Sequence, residues 1–222
     1  DIDLETARPL FEKYLGSLPV KKGSETDKPI DLFMTKGNVT NVFEKEQETP
    51  NAIVAFVYHT PMDYTLENSL KVSYLRQVMQ MLFTETVRED EGGAYSVGVG
   101  GGLRDYPEKI ANIQVQLPTA PEKRARMTEI IYKGIDDLVE NGPSEESMQK
   151  VREYMLRSHD ESLKTNGYWL GALMNKVREN KDFHTGYVET VNSITAKDVQ
   201  ETARTIFRSG NRIEVGMTSP LK

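Results

Sequence analysis

Apolar and polar positions follow two rhythms along this chain. Over residues 3 to 15, Leu4, Ala7, Leu10, Phe11, Tyr14 and Leu15 recur at three- and four-residue steps, which predicts an amphipathic helix stopped by Gly16. From Tyr64 to about Arg88 the stripe Leu66, Leu70, Tyr74, Leu75, Val78, Leu82 and Val87 runs without Gly or Pro, which predicts one long helix. Met127, Ile130, Ile131, Ile135, Leu138 and Val139 predict a helix over about 121 to 140, closed by Asn141-Gly142-Pro143. Ser144 reads as the N-cap of a helix to about 164. Asn166-Gly167 reads as a break, with further helix over about 168–179 and 182–191. Thr195 with Asp198 resembles a capping box opening a last helix to about Phe207.

The second rhythm has a period of two. Lys109 to Leu117 alternates Ala111, Ile113, Val115 and Leu117 against Asn112, Gln114 and Gln116, which predicts a strand in a sheet with one buried and one polar face. Ala52 to Tyr58 is continuously apolar, as a central strand is, and Pro61 ends it. Further strands are expected at Asp31–Thr35, Val39–Lys45, Tyr95 to about Leu103, and around Ile213, Val215 and Met217. Short connections between neighbouring strands point to an α+β architecture, a mostly antiparallel sheet with helices packed on one face. Residues 17–30 are rich in Pro, Lys, Ser, Asp and Gly and have no periodicity, which is linker composition. The expected organisation is therefore 1–18 as the last helix of a preceding domain, 19–30 as linker and 31–222 as one domain.

Composition narrows the function. The 222 residues carry 28 Lys plus Arg against 34 Asp plus Glu, a net charge of −6, which argues against a nucleic-acid partner. The absence of cysteine removes disulfides, a thiol nucleophile and thiolate metal sites. It leaves the compartment open between cytoplasm and periplasm or cell envelope. The longest apolar run, Ile53 to Tyr58, is far short of the roughly 20 residues that span a bilayer. The start at Asp1 suggests a processed or excised piece. The three histidines, His59, His159 and His184, are not at helical ligand spacing, no H-E-x-x-H is present, and each reads as a surface or partly satisfied residue.

Among candidate chemistry, Gly98-Val99-Gly100-Gly101-Gly102 lacks the following helix N-terminus that a phosphate loop needs. Strand alternation instead leaves one face nearly bare there, open to close approach by a helix or another chain. Lys123-Arg124-Ala125-Arg126 reads as a solvated helix face, and the aromatic residues around Trp169 as packing. The segment TVREDEGGAYSV (86–97) couples a helix end to a Gly-Gly turn and a strand. It brings Arg88, a fork of donors, and Tyr95, a single hydroxyl donor, to either side of one turn. Two convergent donors suit substrate anchoring or oxyanion stabilisation. A helix-end Arg favoured by the macrodipole beside a buried strand Tyr accounts for the spacing equally well.

Arg88-Glu89-Asp90-Glu91-Gly92-Gly93-Ala94-Tyr95-Ser96-Val97 resembles the L-R-E-x-x-G-x-A-Y-S-V segment in the second half of the insulinase/pitrilysin-type zinc peptidases, the M16 family. Asp1-Ile2-Asp3 and Tyr14-Leu15-Gly16-Ser17-Leu18-Pro19 are similar to the segment that closes one half of such proteins before the next begins. Asn166, Tyr168, Trp169 and Leu170 are similar, more loosely, to bacterial members. The resemblance implies paired homologous α+β domains enclosing a chamber for extended peptides. Zinc sits on an H-x-x-E-H motif in one domain, and the partner domain supplies Arg and Tyr across the chamber. It implies that this chain is the zinc-free half, with no cofactor of its own and inactive alone, its partner being the H-x-x-E-H half or a homologous subunit. Tyr95 would donate to the scissile carbonyl oxygen and Arg88 would hold substrate backbone. The alternative is a catalytically inert scaffold or binding subunit of the same family.

Overall fold

The computed structural model describes residues 2–20, 23, 30–91 and 97–220, with 88–91 described as helix backbone only. Two compact units result, Asp1–Asp31 and Leu32–Lys222. The first contains helix α1 (Leu4–Tyr14), opened by Asp3, whose carboxylate accepts from the Thr6 amide at 2.8 Å. The apolar stripe expected on α1 is there, and Leu4, Phe11, Tyr14 and Leu15 on it are exposed.

The second unit runs β1 (Asn38–Glu44), β2 (Ala52–Pro61), α2 (Leu66–Glu91), β3 (Gly98–Arg104) and β4 (Ile110–Thr119). It continues through α3 (Arg124–Asn141), α4 (Glu145–Ser162), α5 (Asn166–Glu179), α6 (Tyr187–Ser193) and α7 (Ala196–Phe207) to β5 (Arg212–Thr218). The five strands form one sheet in the order β1-β5-β2-β4-β3. The pairs β5–β2, β2–β4 and β4–β3 are antiparallel, and β1–β5 is parallel. The α+β fold with a mostly antiparallel sheet is thus present, with one difference in topology. The last strand inserts between β1 and β2, so those neighbours in sequence are not neighbours in space.

Register assigns the faces. Val54, Phe56 and Tyr58 of β2 stand opposite Leu117, Val115 and Ile113 of β4. Together they join Met127, Ile131 and Ile135 of α3, Val199, Ala203 and Ile206 of α7, and Leu75, Met79 and Phe83 of α2 in one buried core. All six apolar positions expected to face inward on α3 are buried. On the other face, Asn112, Gln114 and Gln116 of β4 are polar as expected. Their neighbours on β2, β5 and β1 are not: Ile53, Ala55 and Val57 share that face with Ile213, Val215 and Met217 and with Val39 and Phe43. That face is therefore mixed, with Asn41 of β1 and His59 of β2 its polar positions beyond β4.

Three further expectations change. Asp31–Thr35 forms no strand, and the sheet ends at β1, which pairs only with β5. Asn166-Gly167 lies inside the first turn of α5, since the Thr165 hydroxyl accepts from the Tyr168 amide and caps the helix before it. The helix expected from 182 starts at Tyr187, because the Asp182 carboxylate takes the His184 and Thr185 amides into a turn first and Gly186 is left-handed (φ 80°). Ser144 does cap α4, and Thr195 with Asp198 does form the capping box of α7.

Candidate functional site

Arg88 lies on the last turn of α2, and Tyr95 lies outside the described residues. The described residues that flank this stretch are packed. Val87 on α2 and Val97 just before β3 are buried in the common core. Gln80, one helical face below, joins the two elements. Its Nε2 donates to the Val97 carbonyl at 2.9 Å and its Oε1 accepts from the Val99 amide at 2.9 Å. A primary amide has the donor and acceptor of a peptide unit, so Gln80 occupies the position a further strand would take along the edge of β3. Thr84 accepts the second Nε2 proton at 3.0 Å and orients the amide. α2 at Gln80, two turns before Arg88, is thereby tied to the start of β3. Sequence reasoning missed Gln80, whose partners are backbone groups 17 and 19 positions on.

The glycine strand has a different role from the one its bareness suggested. Gly98, Gly100 and Gly102 have open space or ordinary van der Waals contact where a Cβ would stand, so no close approach is made there. Gly101 carries the constraint. Its φ is +113°, and a Cβ would fall 2.2 Å from the Asn112 carbonyl oxygen, so β3 can cross β4 here only as glycine. The Asn112 side chain then accepts from the Gly102 amide at 3.1 Å.

The histidines are more buried than a surface reading allows. His59 is buried on β2, with Nε2 3.0 Å from the Thr35 carbonyl oxygen. His159 on α4 is buried, stacked on Tyr187 of α6 at 3.9 Å between centroids and 8° between planes. The fold brings His184 to 6.3 Å from His159, though the two are far apart in sequence. The phenol oxygen of Tyr168 is 2.8 Å from His184 Nδ1. Burial, and then His184, hold the His159 imidazole below its usual value of 6.5. Two imidazoles without a carboxylate do not make a zinc site, and among the described residues no three His, Asp or Glu side chains are placed to hold a metal.

A second polar group lies between α3 and the sheet. Tyr132 donates to Glu214 Oε2 at 2.6 Å, Arg212 is 3.6 Å from the same oxygen, and its guanidinium sits 5.3 Å over the Tyr132 ring. Burial pushes the Tyr132 phenol up strongly, with Glu214 adding to it, and pushes Tyr58 next to it up to about 12. Both phenols are held neutral, Tyr132 as a donor to Glu214 and Tyr58 as an acceptor from Arg212.

The described residues thus form a five-stranded α+β layer in which a side-chain amide joins α2 to β3, and no metal-holding cluster lies among them. Residues 1–155 match the family described as the peptidase M16 inactive domain, and the chain belongs to that family. Among curated proteins it is 22% identical over 189 residues to a zinc protease PQQL-like protein of Arabidopsis thaliana, covering 78% of this chain and 20% of that one. Among solved structures, a mutant of the ferredoxin protease FusC in complex with Arabidopsis ferredoxin matches with TM-score 0.79 at 17% identity, over 100% of this chain and 24% of that chain. The periplasmic protease PqqL from Escherichia coli matches with TM-score 0.77 at 17% identity, over 99% and 24%. A peptidase M16 inactive domain from Pseudomonas fluorescens matches with TM-score 0.71 at 16% identity, over 100% and 52%. The chain thus spans about a fifth of the curated relative and a quarter of the first two structures. No helix among the described residues is long and apolar enough to cross a membrane.

Proposed function

We propose that this chain is the zinc-free half of a zinc-dependent endopeptidase, with 1–18 closing a preceding domain, 19–30 as linker and 31–222 as the half itself. It completes a chamber for extended peptides and supplies Arg88 and Tyr95. Tyr95 donates a hydrogen bond to the scissile carbonyl oxygen as negative charge develops on it, and Arg88 holds the neighbouring substrate backbone. Metal and general-base chemistry belong to the H-x-x-E-H half, and none of this chain's residues replaces them.

The single observation that carries this reading is the Arg88–Tyr95 spacing of seven positions across a turn, in a chain of the M16 inactive-domain family. The two-point grip of Gln80 on Val97 and Val99 supports it, because donors aimed at a developing charge act only if their frame is rigid. The test is reconstitution. The H-x-x-E-H half of the parent protein is assayed on an internally quenched unfolded peptide, with and without this chain. The reading expects hydrolysis only from the mixture. Equal hydrolysis by the zinc half alone makes this chain a scaffold.

A further inference from the structure

Helix α5 is fastened to its domain at one end. No residue of α5 is buried, and none of its apolar side chains joins the core or packs against it. Leu170, Leu173 and Val177 face outward instead. Among the described residues, two side-chain hydrogen bonds leave the helix, both from its first four residues. The Tyr168 phenol oxygen is 2.8 Å from His184 Nδ1, and Trp169 Nε1 donates to the Leu163 carbonyl at 2.8 Å. The Tyr168 ring also stands edge-on to His159 at 5.4 Å, and the Trp169 indole lies 5.0 Å from the His184 ring. What holds α5 down is therefore a pair of imidazoles, His159 of α4 and His184 of the turn before α6, 6.3 Å apart.

This anchor is built for neutral rings. Its other walls are the phenols of Tyr168 and of Tyr187, the latter stacked on His159, and the Trp169 indole. The two adjacent carboxylates are placed elsewhere. Asp160 follows His159 on α4 and is exposed. Asp182 accepts from the His184 and Thr185 amides and from the Thr185 hydroxyl, and Lys176 of α5 acts on its charge. Protons on both rings set two like charges side by side with little water between them. Lifting α5 withdraws Tyr168 and opens His159 to solvent, so proton binding favours the lifted helix. Burial already holds the His159 imidazole below its usual 6.5, with His184 adding to the effect. The closed anchor is accordingly favoured above about pH 6.5 and weakens as pH falls from there.

We infer that the His159–His184 pair is an acid-sensitive latch: neutral rings hold the first turn of α5 against α4 and the turn before α6, and protonated rings release the helix while α3, α7 and the sheet stay folded. It lies on different elements from the Arg88–Tyr95 segment and stands whether or not that pair acts on the scissile bond.

Amide hydrogen exchange of the 222-residue chain, corrected for the intrinsic pH dependence of exchange, reads the latch directly. Between about pH 7.5 and about pH 5, protection over 166–179 is expected to fall about tenfold or more while α3 and α7 keep theirs. Trp169, the only tryptophan, should shift its emission to the red over the same range. His184→Asn keeps an acceptor for the Tyr168 hydroxyl but does not titrate, and combined with His159→Phe it is expected to abolish the fall. Tyr168→Phe leaves both histidines in place and removes the phenol bond, so α5 should lose about fivefold of its protection at neutral pH already. Loss of protection in α5 only in step with α3, an equal fall in the double variant, or unchanged α5 protection in Tyr168→Phe overturns the inference. The wild-type profile and Tyr168→Phe decide the case even if the double variant does not fold. The readout involves no hydrolysis, so its failure is distinct from failure of the reconstitution.

Discussion

Gln80 and Val99 share a hydrogen bond of 2.9 Å in which a side-chain amide of α2 accepts from the edge amide of β3. The same side chain donates to Val97, so one residue closes both backbone groups that flank the start of the strand. This ties α2 at Gln80 to the start of β3, the strand that follows the segment carrying Arg88 and Tyr95. Gln80→Met keeps length and volume and removes both bonds. It is expected to cost about 1–3 kcal/mol in denaturant melts, because two backbone groups are left unpaired. Protection of the Val99 amide from hydrogen exchange should fall while the β4 amides stay protected. Unchanged protection at Val99 contradicts this account of the frame.

Close packing of α2 on α3 depends on a missing side chain. A Cβ at Gly134 would lie 2.6 Å from Cε1 of the fully buried Phe83. Gly134→Ala is therefore expected to destabilise by about 1–3 kcal/mol, although alanine is the better helix former by about 1 kcal/mol. A rise in thermal midpoint would show that the helices part without cost.

Much of the helical layer was legible from residue spacing. The α3 stripe and the caps Ser144 and Thr195 are local signals, set by neighbours three and four positions away. The strand order was not. Alternation in Ile213, Val215 and Met217 says which face each side chain takes, but not that β5 slips between β1 and β2. The inverted face of α5 was also hidden, since a stripe at helical spacing reads as core whichever way it turns. Asn166-Gly167 misled because Thr165 caps one position earlier and makes the glycine part of the first turn. At the candidate site, the Arg88–Tyr95 spacing could be read directly, whereas Gln80 could not, because its partners are backbone groups 17 and 19 positions away.

Tyr132 stabilises through one part-buried bond to Glu214. Tyr132→Phe leaves that carboxylate with Arg212 at 3.6 Å and Thr40 at 3.5 Å. The loss expected is about 1–3 kcal/mol in guanidinium unfolding, with an unchanged denaturant slope. Equal midpoints for the two proteins would mean that solvent already satisfies Glu214.

Acid should loosen the His159 cluster. The groups facing His159 are Tyr187, Tyr168 and His184, with Asp160 adjacent and partly opposing the shift. Its folded-state pKa lies below the ordinary 6.5, so folding favours the neutral ring. The stability this gives is present above about pH 6.5 and is lost as pH falls from there toward the folded-state value. Thermal midpoints should drop between about pH 7 and about pH 5, before most carboxylates titrate. His159→Phe, which keeps a ring on Tyr187, should flatten that slope. An identical slope in the variant assigns the effect elsewhere.

The most direct measurement is kcat/KM of the reconstituted two-half enzyme on an unfolded peptide, wild type against Tyr95→Phe and Arg88→Ala. If Tyr95 donates to the developing oxyanion and Arg88 holds the substrate backbone, each loss lowers kcat/KM on the order of 10²-fold or more with both halves still associated. Values within about twofold of wild type, on the same scale of lost donors, would contradict the assignment and leave this chain a structural half.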